Sequence, residues 1–201
     1  KAYTYRVVKT KEGPYAGELA LDLGFSNWYR PASLSSVPDL KEGDTVELKK
    51  EEGGGKKVEK SQPHSSITLH PSPLSLDMLY TYQAYVTHVL DGDTVKATID
   101  LGFGITTQQT LRLRGIDTPE IESREGKEAK ALLEELLSAN GDERMANRTS
   151  SHSPITDHDS PVLIRTTRSD KYDRYLVDVW VNGEYVNQML VKEGLAMPLR
   201  D

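Results

Sequence analysis

Apolar and polar residues alternate along this chain in short runs, and the runs fall into two groups. Tyr3, Tyr5 and Val7 share one face of an extended segment from Tyr3 to Val8, and Leu19, Leu21 and Leu23 do the same between Gly17 and Leu23. Ser26 to Pro38 is rich in Ser and Pro and is expected to be irregular. Thr45 to Lys49 reads as a further strand, and beyond the Gly53-Gly54-Gly55 loop Lys56 to Lys60 is expected to return as its partner. Residues 1–60 thus form a small β-rich module. Residues 61–78, with several prolines and serines, read as a linker, and residues 79–201 as a second domain.

The second group is more regular. Tyr82 to Leu90 and Thr94 to Leu101 are two strands joined at Asp91-Gly92. Thr107 to Ile116 is a third, with Leu111 and Leu113 on one face and Arg112 and Arg114 on the other. Pro119 suits the first turn of a helix. Ala129, Leu132, Leu133, Leu136 and Leu137 then recur at i, i+3, i+4, i+7 and i+8, an amphipathic stripe whose leucines belong to a core. Ala139 to Ser160 is polar and aperiodic and reads as a loop. Val162 to Thr167 and Tyr175 to Val181 are strands four and five, Asn182-Gly183 is a tight turn, and Val186 to Glu193 is a short helix ended by Gly194. Three strands, a helix, two strands and a trailing helix is the order of a five-stranded OB-fold barrel, so the fold class is mainly β with α (α+β).

Charge narrows the function. The net charge is −6, which argues against nucleic-acid binding by bulk electrostatics. Residues 1–78 are balanced at 11 basic and 11 acidic, whereas residues 79–201 hold 14 basic and 20 acidic. Substrate capture should then rest on a few focused groups and be weak and salt-sensitive. No apolar run approaches the length of a membrane span. There is no cysteine, hence no disulfide-linked partner and no thiolate metal site. The chain begins at Lys1 without a Met or signal peptide, as a mature form or a fragment would.

Candidate chemistry gathers between Asp91 and Glu120. Asp91-Gly92-Asp93-Thr94-Val95 places carboxylates on a turn, and Arg112 and Arg114 lie on the strand that feeds Asp117-Thr118-Pro119-Glu120. Carboxylates and a backbone carbonyl are the hard oxygen ligands that Ca²⁺ prefers, and Arg offers a planar fork matched to phosphate oxygens. The plainer reading is that Asp93 and Asp117 cap local turns and that Glu120 is a first-turn helix acid favoured by the dipole. Gly43-Asp44-Thr45-Val46 repeats Gly92-Asp93-Thr94-Val95, but neither an arginine strand nor an acidic corner follows, so it is expected to be an ordinary hairpin. His64 and His70, and the Asp157-His158-Asp159 run, are expected to be solvated loop residues.

Together with Asp170-Lys171-Tyr172-Asp173-Arg174, these motifs resemble the staphylococcal nuclease family over residues 82–196. The resemblance implies an OB-fold nuclease that cleaves DNA and RNA with Ca²⁺, leaving 3′-phosphate and 5′-hydroxyl ends. It implies Asp93, Asp117 and the Thr118 carbonyl as metal ligands, Glu120 as general base, and Arg112 and Arg174 as phosphate-binding catalytic residues. It also implies Lys171 and Tyr172 as substrate-binding residues, and leaves Arg114 as an exposed arginine. A monomer, secreted or at a cell surface, is expected. The segment between Glu120 and the helix is shorter than in the family, the Ala139–Ser160 insertion is long, and the chain ends where relatives continue into a further helix. A flap and an aromatic lid are therefore in doubt. The rival reading is a binding module that has lost catalysis, and the presence of Asp93, Arg112, Asp117, Glu120 and Arg174 together speaks against it.

Overall fold

A computed structural model of the protein describes residues 3–50, 67–71, 79–138, 161–169 and 174–199. They divide into two compact units, Lys1–Tyr80 with Leu101–Gly104, and Thr81–Asp100 with Ile105–Asp201. The first unit holds β1 (Tyr3–Lys9), β2 (Leu19–Gly24), β3 (Asn27–Tyr29), β4 (Thr45–Lys50) and β5 (Ile67–Pro71). They form one antiparallel sheet in the order β3-β2-β1-β4-β5. Tyr5, Val7, Leu21, Leu23, Val46 and Leu48 are buried, as period-2 alternation requires of a half-buried sheet. The Tyr5 hydroxyl donates to the Leu101 carbonyl at 2.7 Å, which satisfies its one buried polar atom.

Two expectations change here. Residues 56–60 lie outside the described residues, and the strand that pairs with β4 is β5, within the stretch read as a linker. Its alternation is brief and its last residue is Pro71, which an edge strand tolerates because no ladder donor is needed on that side. Within Ser26–Pro38, β3 and a 3₁₀ turn at Ala32–Ser36 are regular, and the turn buries Leu34.

The second unit contains β6 (Thr81–Val89), β7 (Thr94–Asp100), β8 (Thr106–Leu113), β9 (Ile116–Asp117), α1 (Arg124–Ser138), β10 (Val162–Ser169), β11 (Tyr175–Val181), β12 (Glu184–Tyr185), α2 (Val186–Lys192) and β13 (Met197–Pro198). The main sheet runs β10-β6-β7-β8-β11-β12, and β10 also pairs with β11, closing five strands into an OB-fold barrel. The β8–β11 pairing is parallel and the other pairings are antiparallel. Ala129, Leu133 and Leu137 form the fully buried part of the α1 stripe, while Leu132 and Leu136 are half-buried beside it.

The expected third strand is two pieces. Gly115, at φ 73°, turns the chain after β8, and Ile116–Asp117 restarts as β9 against β13. Asp117 therefore sits on its own short strand rather than at the end of β8. Asn187, 1% exposed, spans the break: its side-chain amide donates to the carbonyls of Arg114 and Val177 and its oxygen accepts the Val179 amide.

Arg114 is not the exposed arginine expected. Its Nε and Nη2 donate to the carboxylate of Asp178 at 2.8–3.1 Å, and Asp178 is 1% exposed. Arg165 and the Tyr185 hydroxyl donate to the same carboxylate at 3.1 and 2.8 Å. Burial alone would raise the Asp178 carboxyl, but the bonds from Arg114, Tyr185 and Arg165 outweigh it and hold the group below its ordinary value. The Tyr185 phenol, buried and donating to that anion, is pushed up to about 12. A carboxylate whose folded pKa is depressed stabilises the fold above its unfolded pKa, near 3.8, and loses that contribution as pH falls through the folded value. Asp178→Asn should accordingly lower the urea midpoint at pH 7 by the equivalent of roughly 3 kcal/mol, the low end for a broken buried pair. The gap to the parent should narrow progressively below about pH 4. A deficit that stays constant from pH 7 to pH 3 would contradict the ion-pair account.

Candidate functional site

The loop between β6 and β7 is built on two aspartates with different tasks. The Asp91 carboxylate accepts the Asp93 amide at 3.0 Å and so caps the turn itself. That leaves the Asp93 side chain for other partners. Its Oδ1 accepts from Arg112 Nη1 at 2.6 Å and from the Thr94 hydroxyl at 3.0 Å, and its Oδ2 accepts the Thr118 amide at 3.1 Å. The Asp93 carbonyl accepts the Leu113 amide, stitching the loop to β8 one residue past Arg112. At Gly43-Asp44 the same tetrapeptide behaves differently. The Asp44 carboxylate accepts the Lys41 amide of its own turn, as expected of an ordinary hairpin.

Asp93 is 2% exposed, and its burial raises its carboxyl above the ordinary value. The Asp91 charge adds to that, while Arg112, the Thr118 amide and the Thr94 hydroxyl oppose it. The second carboxylate arrives on β9: Arg112 Nη2 donates to Asp117 Oδ1 at 2.5 Å, and Asp117 remains half exposed. Arg112 thus bridges two acids that are 24 positions apart in sequence.

Beyond Thr118 the chain does not enter a helix at once, contrary to the expectation from Pro119. Ser123 is the residue before α1: its hydroxyl accepts the Gly126 amide at 2.9 Å, the bond of an N-cap, and donates to the Glu120 carbonyl at 2.7 Å. Glu120 is therefore an exposed residue on a turn ahead of the helix, not a first-turn acid. A Cβ on Gly126 would lie 2.0 Å from the Glu120 carbonyl oxygen and 2.7 Å from that of Pro119. A Cβ on Gly92 would lie 2.7 Å from Cβ of Ala129 and 2.9 Å from the Thr118 side chain. The Asp91–Asp93 loop and the Pro119–Glu120 turn thus rest on the small residues of α1. A lone Gly inside a helical pattern was the available signal for this contact, and the leucine stripe drew attention away from it.

Asp93, Arg112, Asp117 and Thr118 are brought together. Arg174 is half-buried and directly precedes β11, whose first residue pairs with Leu111, the neighbour of Arg112. Lys171 and Tyr172, and the Asp157–Asp159 run, lie outside the described residues. No group of three or more His, Asp or Glu side chains among the described residues is set to hold a metal. The donor set, two carboxylates converging on one cationic centre, nevertheless suits a hard cation that takes its other ligands from a carbonyl and water.

A family model described as staphylococcal nuclease homologue matches residues 110–200. A thermonuclease of Staphylococcus hyicus is 32% identical over 117 residues, 55% of this chain and 56% of that protein. An uncharacterized protein of Bacillus anthracis is 30% identical over 124 residues, 58% of this chain and 47% of its own. The chain belongs to the staphylococcal nuclease family. An uncharacterized 38.1 kDa protein of Capnoides sempervirens is 29% identical over 86 residues, 43% of this chain and 20% of its own. The chain thus spans less than two thirds of the length of these relatives. The family match takes in Arg112, Asp117, Thr118, Glu120 and Arg174; Asp93 lies ahead of it and enters the site through the fold.

The close approach at Gly126 has a stability consequence of definite sign. In a helix without neighbours Gly→Ala gains up to about 1 kcal/mol. Here the added methyl meets backbone carbonyls, so Gly126→Ala should lower the melting temperature by several degrees, with the far-ultraviolet helix signal retained. A higher melting temperature would show that the turn yields freely and that α1 does not fix Glu120.

Proposed function

We propose that the protein is a Ca²⁺-dependent nuclease that hydrolyses phosphodiester bonds of DNA and RNA and leaves 3′-phosphate and 5′-hydroxyl ends. The observation that carries this reading is Arg112 bridging Asp93 and Asp117 beside the turn that bears Glu120. Two of the five guanidinium N–H donors are engaged by the carboxylates, which leaves three for a phosphate while the aspartates fix the plane of the fork. Arg174 would meet the same phosphate from the β11 side. Asp93, Asp117 and the Thr118 carbonyl would hold Ca²⁺, whose charge stabilises the developing phosphoryl anion and makes a nearby water more acidic. Glu120, exposed and ionised at neutral pH, would orient that water and accept its proton for in-line attack. The arginines stabilise charge that builds on the phosphoryl oxygens. Lys171 and Tyr172 would line the nucleotide pocket.

Digestion of DNA and of RNA with Ca²⁺, with Mg²⁺ and with excess chelator tests the reading. Cleavage is expected with Ca²⁺ and not in chelator, and only poorly with Mg²⁺, which demands a tighter octahedral geometry. Arg112→Lys and Arg174→Lys retain charge but lose the planar fork, and each should lower kcat by at least about 10²–10³. Asp93→Ala should abolish the Ca²⁺ response, while Asp44→Ala should leave it intact. A folded protein that cuts neither substrate with Ca²⁺, or cuts both in chelator, would overturn the proposal.

A further inference from the structure

Arg112 stands at one end of a polar track on the outside of the barrel. In a sheet every second residue shares a face, and the register sets Thr94 opposite Arg112. The next row on that face is Lys96 between His88 and Thr110, and the one after is Thr98 between Tyr85 and Gln108. Burial confirms the direction of these rows. Val86, Val95, Ala97, Ile99 and Leu111 are buried inside, whereas His88, Lys96, Gln108 and Tyr85 are exposed and Thr98 and Thr110 half-buried. Tyr85 is 39% exposed, a large amount for an aromatic ring on a strand. A shallow cleft of about 470 Å³ runs over the second row and is lined by His88, Lys96, Gln108 and Thr110, among others.

The chemistry of the track follows the order of its rows. A guanidinium is followed by an ammonium with an imidazole and a hydroxyl, and then by a phenol ring flanked by an amide and a hydroxyl. Successive rows are two residues apart, about 6.7 Å along the strand. That is close to the spacing of successive phosphates in an extended single strand. Cationic groups that follow a backbone, interleaved with aromatic rings that take a base, are the arrangement by which single-stranded nucleic acid is held without sequence preference. In a chain of net charge −6, the first acidic side chain along these strand rows is Asp100, one row past Tyr85, opposite Gln83 and Thr106. Beside Arg112 the two carboxylates are already neutralised in part by that arginine.

We propose that this face of β6, β7 and β8 is the path of a single-stranded nucleic acid on one side of the phosphate held by Arg112, with the next phosphate on Lys96 and a base against Tyr85. The proposal rests on Arg112 as a phosphate site, and it adds an extended binding surface that makes the protein prefer strands several nucleotides long.

The test is fluorescence anisotropy of a labelled twelve-residue oligothymidylate in excess chelator, at 50 and 200 mM salt, for the parent, Lys96→Glu, Tyr85→Ala and the remote control Lys192→Glu. Lys96→Glu should weaken binding about tenfold or more and reduce the salt slope by about 0.7, the loss of one phosphate contact on a single strand. Tyr85→Ala should weaken it about five- to hundredfold, the range for a lost base stack. Lys192→Glu should change neither quantity. The dinucleotide TpT, which spans only the Arg112 row, should compete equally well against the parent and Lys96→Glu. Unchanged affinity and slope in Lys96→Glu would overturn the track, and so would an equal loss of TpT competition. Because binding is read without divalent cation, the track and the nuclease reading fail separately. A protein that shows these losses but cleaves nothing with Ca²⁺ keeps the track and loses the nuclease proposal. One that cleaves normally without them does the reverse.

Discussion

The guanidinium of Arg112 lies between carboxylates that the chain delivers from two separate segments, Asp93 from the β6–β7 loop and Asp117 from β9. An ionised carboxylate as buried as Asp93, at 2% exposed, costs several kcal/mol to desolvate unless it is paired and hydrogen-bonded. Arg112, the Thr94 hydroxyl and the Thr118 amide supply those partners, so the bonds that settle the acid also set the distance between the loop and the corner. The same atoms serve the fold and the site. Asp91 makes this possible by taking over the capping of its own turn.

A second constraint comes from the other side. α1 presents Gly126 and Ala129 where the Glu120 turn and the Gly92 loop approach, and neither approach leaves room for another carbon. The leucines farther along the helix anchor it in the core, so the small residues form a fixed floor for both segments. Arg114 belongs to a different assembly despite sharing a face with Arg112. It closes a buried cluster around Asp178 with Arg165 and Tyr185, and its task is to hold β11 beside β8 and β10. Period-2 alternation could place both arginines on one face, but it could not say which acid would meet each of them.

Much of the barrel was legible because its strands alternate strictly and its helix keeps one apolar stripe. Asp93 and Arg112 were legible as chemistry because a buried acid and an arginine on one face have few other purposes. The departures have local causes. β8 stops short because Gly115 adopts a left-handed conformation that a pattern of Leu and Arg does not announce. α1 starts late because Ser123 caps it, and Pro119 gave the stronger but misleading signal. β5 was hidden because its alternation is short and set among Ser and Pro, residues that an edge strand accepts. Asp178 was silent because its meaning depends on Arg114, 64 positions away.

The central claim is that Arg112 and a bound cation share the carboxylates of Asp93 and Asp117. The direct measurement is the Ca²⁺ affinity of the parent and of Arg112→Met by titration calorimetry, without nucleic acid. Removing a positive charge that occupies one oxygen of each acid should tighten Ca²⁺ binding by about tenfold or more, since a unit charge a few ångströms away is worth on the order of 4 kcal/mol near a protein surface. Cleavage should be lost in the same variant. An unchanged or weaker Ca²⁺ affinity in Arg112→Met, with the fold intact, would contradict the account.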